Sequence, residues 1–171
     1  MKESAVKILK ENRLMAIATI RPDGWPQTTI VGYANEEILI YFAISRTGQK
    51  FANIKRDNRV SLAVGHDFHD PRSIRGLSIA AHASEVTDSK QRERGLRLLL
   101  EQHPGLNRLE VPSLSEDTVL MRAAPSIITI IDYSQGFGHS DILTVGPGGM
   151  VEMTAAREDD WGFGESLKPL A

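Results

Sequence analysis

The sequence predicts a mostly β fold with added helices, an α+β domain built on one antiparallel sheet of six to seven strands. Three observations predict it. Residues 14–20, 27–34 and 38–44 are rich in Ile, Val, Thr, Tyr and Phe and are joined by short polar turns, which makes a three-stranded meander. Later stretches at 59–64, 77–86, 119–123 and 127–133 have the same β-branched and apolar character. Helical spacing is confined to residues 1–12, 50–57 and a stretch after Asp88. Sequential strands with a helix after the third suit a small closed or split barrel, which removes exposed sheet edges.

Each element has a local reason. In residues 1–12, Val6, Ile8 and Leu9 form an apolar stripe, while Lys2, Lys7, Lys10 and Glu11 face water. Pro22-Asp23-Gly24 is a turn because proline presets φ and glycine accepts positive φ, so residues 14–34 read as a hairpin. Phe51 and Ile54 are spaced for a short helix ending in Lys55, Arg56 and Asp57. Asp88 or Ser89 caps the longest helix, which carries Leu96, Leu99 and Leu100 on one side and stops at His103-Pro104-Gly105. Residues 107–117 read as loop with some helical turn. A domain over residues 1–145 is followed by a C-terminal tail, 146–171, whose Trp161 and Phe163 predict docking on the same or a neighbouring subunit.

Composition narrows the function. The chain has 171 residues and 41% hydrophobic content, enough for one core without marking a membrane protein. Twenty basic residues against 22 acidic ones leave a net charge of −2, which provides no electrostatic footprint for nucleic acid. The absence of cysteine excludes disulfides, thiolate metal sites, iron–sulfur clusters and cysteine nucleophiles, and fits a cytoplasmic protein. The N-terminus lacks the apolar run of a signal peptide, and no run approaches the roughly 18 apolar residues of a membrane span.

The segment Tyr41-Phe-Ala43-Ile44-Ser45-Arg46-Thr47-Gly48-Gln49-Lys50 carries the clearest chemistry. An apolar strand runs into hydroxyl, guanidinium, glycine and ammonium groups just before a helix. Hydroxyls and first-turn N–H groups donate hydrogen bonds, the helix dipole favours an anion, and Arg46 and Lys50 bring charge, a combination suited to phosphate.

Met15-Ala-Ile-Ala-Thr19, Asp23-Gly-Trp-Pro-Gln-Thr28, Ile40-Tyr-Phe-Ala43 and Lys50-x-x-Asn53-Ile54-x-x-Asp57-x-Arg59-Val60-Ser61-Leu62, in this order and spacing, resemble the pyridoxamine 5′-phosphate oxidase-like family, the FMN-binding split barrels. The resemblance covers residues 5 to 135. It implies a split β-barrel homodimer with two FMN sites at the subunit interface. By position, Lys50 is the phosphate ligand, with Ser45, Arg46, Thr47 and Gln49 around it and Ala43 and Ile44 leading in. Thr28, Thr29, Ile30 and Val31 form the strand beside the flavin ring. Arg75 and Gly76 start the later strand that approaches the cofactor. Tyr133 corresponds to an aromatic residue reaching in from the second subunit, and His139 lies just beyond it.

The true oxidases of this family carry an Arg-x-x-x-x-Lys strand motif. The corresponding arm here, Gln-Thr-Thr-Ile-Val-Gly-Tyr33, has no basic residue, and Gln49 stands where a basic residue precedes the lysine. The resemblance is therefore to the general-stress and uncharacterised branch, among whose relatives deazaflavin F420 and haem ligands occur beside FMN. It implies a flavin-dependent oxidoreductase acting on a small-molecule redox substrate, with a flavin-binding or sensing protein without turnover, or an F420- or haem-binding split barrel, as the alternatives. The absence of extra cations at the loop counts against the long anionic tail of F420.

The remaining candidates read as structural. His66-Asp-Phe-His-Asp70 has metal-ligating residue types but no second cluster to complete a shell, so it reads as a polar loop anchored by Phe68, and no metal is expected. Trp25 is expected to pack on a neighbouring strand, His82 to be structural and His103 to mark a helix end. Arg92, Arg94 and Arg97 read as an exposed helix face, and Leu96, Leu98, Leu99 and Leu100 as core or dimer contacts. Ser126 and Ser140 lack the context of a hydrolase nucleophile.

Overall fold

The structure is a computed structural model and describes residues 1–105, 117–146, 149 and 151–154. Among these, three α-helices and eight strands follow the order α1 (Lys2–Glu11), β1 (Leu14–Ile20), β2 (Pro26–Glu36), β3 (Leu39–Ser45), α2 (Gln49–Arg56), β4 (Arg59–Gly65), β5 (Arg75–Glu85), α3 (Ser89–Gln102), β6 (Thr118–Asp132), β7 (Ser140–Val145) and β8 (Val151–Thr154). The sheet runs β3-β2-β1-β4-β5-β6-β7-β8, and β3 pairs again with β6. Six strands thus close into an antiparallel barrel, as expected, with β7 and β8 extending from it.

Closure depends on β6. The sequence suggests two closing strands at 119–123 and 127–133, but one 15-residue strand covers both. Its first half pairs with β3, its second half pairs with β7, and β5 runs along it from Met121 to Asp132. The register slips between Ala80 and Ala81, where Ser126 is the extra residue and its hydroxyl donates to the Ala80 carbonyl at 3.1 Å. Pro125, which has no N–H to give the ladder, sits at this bulge. The apparent break at Pro125-Ser126 is therefore a bend within one strand.

The barrel interior is filled by the alternate residues Met15, Ile17, Tyr33, Ile40, Phe42, Leu62, Ile79 and Met121, all 2% exposed or less. α1 covers this core with Ala5, Ile8 and Leu9, and the buried Tyr33 hydroxyl donates to the Leu9 carbonyl at 2.8 Å, tying helix to strand. Val6 is only half-buried, so Ala5 takes its place in the expected stripe. Asp88 caps α3 by accepting from the Gln91 N–H at 2.8 Å. His103 ends α3, and its ring lies over Gly32, with Nε2 2.9 Å from the Tyr33 carbonyl. Leu99 is buried under α3, whereas Leu100 is exposed. Trp25 is 70% exposed at the hairpin tip, because the β-turn closed by Gly24 N–H to the Arg21 carbonyl carries the indole off the sheet.

β8 lies within the expected C-terminal tail and pairs with β7. Trp161, Phe163 and most of the 107–117 loop lie outside the described residues. No helix among the described residues is long and apolar enough to cross a membrane.

Candidate functional site

The barrel is split on one side. β2 pairs with β1 from Pro26 to Gly32, but its pairing with β3 is confined to Tyr33–Glu36 against Leu39–Phe42. Residues 27–32 therefore keep one open backbone edge. Ala43, Ile44 and Ser45 pair with Leu120, Val119 and Thr118 of β6, so their edge toward β2 is open as well. A gap bounded by unpaired N–H and C=O groups presents donors and acceptors to a ligand, because each unpaired peptide group needs a hydrogen-bond partner.

The loop Ser45–Lys50 and α2 stand at the mouth of this gap. The Ser45 Oγ accepts from the Thr47 N–H at 3.3 Å and contacts its Oγ1 at 3.0 Å, and the Ser45 carbonyl accepts from the Gly48 N–H, so the loop is a tight turn. α2 starts at Gly48 with no side-chain cap, which leaves its first-turn N–H groups for another acceptor. Lys50 lies in that turn, half-buried, with no carboxylate partner among the described residues; burial holds its amine below the usual lysine range. Arg46 is committed elsewhere: its guanidinium binds Glu85 at 2.8 Å and lies over the Phe51 ring at 5.5 Å.

A buried polar clamp sets α2 against the strands. Asn53, fully buried, donates through Nδ2 to Thr19 Oγ1 at 3.0 Å and to Gln27 Oε1 at 3.1 Å, and its Oδ1 accepts from Gln49 Nε2 at 2.8 Å. Asn53, Gln27 and Thr19 were not among the residues to which sequence reasoning gave a role. The available signal was an amide at position 53 beside Ile54, on the side of α2 that should be apolar. Thr29 faces the barrel interior opposite Ile17, and its Oγ1 is buried without a hydrogen-bond partner among the described residues. Such a group costs free energy unless a ligand or water satisfies it.

The other expected residues lie far away in the same chain. Arg75 pairs in register with Asp132 and binds its carboxylate at 3.2 Å. That carboxylate is held at about 2, chiefly by the Ser134 hydroxyl at 2.6 Å, with Gln135 and Arg75 adding to it. Gly76 is required by the backbone, since a Cβ there would stand 2.9 Å from the Val64 carbonyl oxygen. The Tyr133 ring packs on the exposed Phe137 with centroids 5.2 Å apart, and His139 Nε2 lies 3.4 Å from Asp141. Ser45 pairs with the first residue of β6 and Arg75 with the last, so fourteen strand steps, roughly 45 Å of contour, separate the groups. Ser45, Arg46, Thr47, Gln49 and Lys50 gather with residues 28–31 at the split; Arg75, Gly76, Tyr133 and His139 gather at the other end.

The outer face of β1, β4 and β5 is lined by small side chains: Ala16, Ala18, Ser61, Ala63, Ser78 and Ala80. A hollow of about 310 Å³ lies on it, near Ala18, Ser61 and Ala80, and Leu14 and Ile30 stand beside this face 57% and 65% exposed. His66 contacts Asn12 at 3.2 Å and stacks on Phe68, as expected of an anchored loop, and no group of metal-ligating side chains occurs among the described residues.

Residues 1–131 match the family described as pyridoxamine 5′-phosphate oxidase. No curated protein matches the chain. Among solved structures, a haem-binding protein from Mycobacterium smegmatis superposes with a TM-score of 0.72 at 17% identity, covering 84% of this chain and 57% of that one. A conserved hypothetical protein from Mycobacterium tuberculosis gives 0.71 at 24% identity, covering 88% and 94%. General Stress Protein 26 from Bacillus anthracis gives 0.62 at 21%, covering 76% and 92%. At these identities the likeness is one of fold.

Proposed function

Because the chain belongs to the pyridoxamine 5′-phosphate oxidase family, we propose that it is an FMN-binding oxidoreductase whose flavin lies in the split between β2 and β3 and is enclosed by a second copy of the chain. The observation that carries this reading is the half-buried ammonium of Lys50, without a carboxylate among the described residues, at the uncapped start of α2. A buried cation is costly unless an anion answers it, and a phosphate monoester answers both the ammonium and the first-turn N–H groups.

The residues at the split fit the group. Lys50 and the N–H groups of α2 hold the phosphate, the open edge of residues 28–31 offers hydrogen bonds to a heteroaromatic ring, and Thr29 Oγ1 gains a partner. When bound, a flavin supplies hydride or electron transfer to a small-molecule substrate. The chain's part is to anchor, orient and exclude water, and none of its side chains need act as acid or base.

A homodimer is supported by two features. The small-residue face with exposed Leu14 and Ile30 gives a second copy a close approach, and the placement of Tyr133 and His139 at the opposite end of β6 from the partner of Ser45 suits a site completed by another subunit. The likeness to a haem-binding protein makes haem the competing ligand. No histidine occurs between Leu14 and Gly65, so β1, β2, β3 and α2 offer haem no imidazole, whereas they do offer a phosphate site.

Absorbance of the protein after gel filtration with added FMN tests the reading, for wild type and Lys50→Ala. A flavin spectrum eluting at dimer size and weakened in the variant supports it. Wild type without flavin, or with a Soret band instead, overturns it. Sustained reoxidation with NAD(P)H separates an enzyme from a flavin-binding protein without turnover.

A further inference from the structure

We propose that Asn53 is a positioning residue that gives the split its preference for a phosphorylated ring over the same ring without phosphate, an inference resting on the flavin reading above. Asn53 is fully buried and joins three elements with three side-chain hydrogen bonds, to Thr19 of β1, Gln27 of β2 and Gln49 of its own helix. The N-cap Gly48 has no side chain to cap α2, so its first turn is positioned from inside the helix, by this clamp together with the buried Ile54. Lys50 precedes Asn53 by three residues and so lies on the same helical side. Fixing Asn53 fixes the rotation of α2 about its axis, and with it where the Lys50 ammonium stands relative to the open edge of β2.

Charge sharpens the consequence. Arg46 is held by Glu85, and Arg56 donates to the Arg21 carbonyl at 2.6 Å. Gln27 and Gln49 are neutral, which leaves Lys50 as the uncommitted cation of the loop and first turn among the described residues. With one ammonium serving the phosphate, a displacement of α2 weakens the phosphate contact while the backbone edge that meets the ring stays paired to β1. Asn53 therefore acts on ligand choice through Lys50, without touching the ligand.

The test is the ratio of riboflavin to FMN dissociation constants, read from flavin fluorescence in wild type, Asn53→Ala, Thr19→Val, Lys50→Ala and the double variant Asn53→Ala/Lys50→Ala, with far-UV circular dichroism confirming the fold. The expected result is a wild-type preference for FMN that falls about tenfold in Asn53→Ala, with riboflavin affinity within about threefold, since tenfold corresponds to about 1.4 kcal/mol. Thr19→Val, which removes one acceptor from the clamp, moves the ratio the same way by a smaller factor, and serves alone if Asn53→Ala does not fold. In the Lys50→Ala background, Asn53→Ala changes the ratio no further. An unchanged ratio, equal losses for both flavins, or additive effects in the double variant overturn the proposal while leaving the flavin reading intact. Wild type that binds no FMN overturns both.

Discussion

The Asn53 amide nitrogen lies 3.0 Å from the Thr19 hydroxyl, across 34 residues of sequence, with both side chains buried. This contact ties α2 to the first strand of the barrel, and the same amide reaches Gln27 on the second. Replacing Asn53 by the similarly sized Leu leaves the buried Thr19 hydroxyl without its partner and removes the contacts of the half-buried Gln27 and the exposed Gln49. The expected cost is about 1–3 kcal/mol, chiefly from the one buried hydroxyl left unsatisfied. Urea unfolding measures it: a lower midpoint at unchanged slope is expected, and an unchanged midpoint would show that the clamp contributes nothing net.

Much of the fold was legible because its signals are local. Leu14–Ile20 carries its own β pattern, Pro22-Asp23-Gly24 its own turn, and Asp88 its own cap. The loop at Ser45–Lys50 was legible for the same reason, since hydroxyls, glycine, a cation and a helix start are contiguous. What the sequence hid is non-local. Pro125 reads as a strand break and is a bulge, because β5 supplies a continuous partner through the slip at Ala80/Ala81. Arg46 reads as a phosphate ligand, yet Glu85, 39 residues on, holds it. Asn53 reads as one polar residue in an amphipathic helix until Thr19 and Gln27 fold around it.

Gly95 is where α3 meets the barrel. A Cβ there would lie 2.8 Å from Tyr41 Cδ1 and 2.9 Å from Leu120 Cδ2, and both of those side chains are 1% exposed. Alanine improves helix propensity by about 1 kcal/mol, but forcing two packed side chains aside costs about 1–3 kcal/mol. Packing outweighs propensity, so Gly95→Ala is expected to lower the urea midpoint, a net loss of about 1 kcal/mol. A raised midpoint would mean that Tyr41 yields freely and that the contact between α3 and the barrel is loose.

Asp132 makes stability depend on acid. The Ser134 hydroxyl foremost, then Gln135 and Arg75, hold its carboxyl at about 2, below the ordinary value of 3.8. A carboxyl depressed in the folded state contributes stability that is complete above the unfolded value and is lost as pH falls from about 4 toward 2. Solvent screens this contribution, which is expected to be about 1 kcal/mol or less. Asp132→Asn should remove that share of the acid dependence, seen as thermal midpoints that converge with wild type at pH 2 and diverge at pH 5. Parallel curves would place the acid sensitivity elsewhere.

On the proposed flavin reading, Lys50 is expected to give FMN affinity a pH window. Burial lowers its amine below the ordinary lysine value of 10.5 in the free protein, so the folded chain sheds this proton earlier than the unfolded chain as pH rises. Between those two values the free protein gains stability with rising pH, while the site loses the charge that phosphate requires. At the acid end the phosphate itself becomes a monoanion near its second ionisation, about 6. FMN affinity, measured by fluorescence quenching from pH 5 to 10, is therefore expected to rise through about 6 and to fall again before the range of a free lysine. Lys50→Ala should lose about 10- to 100-fold at neutral pH, the worth of a charge-assisted hydrogen bond, and lose the alkaline fall with it. Lys50→Arg keeps its charge throughout and should flatten only the alkaline side. A wild-type alkaline limb that coincides with that of Lys50→Arg would show that some group other than Lys50 holds the phosphate.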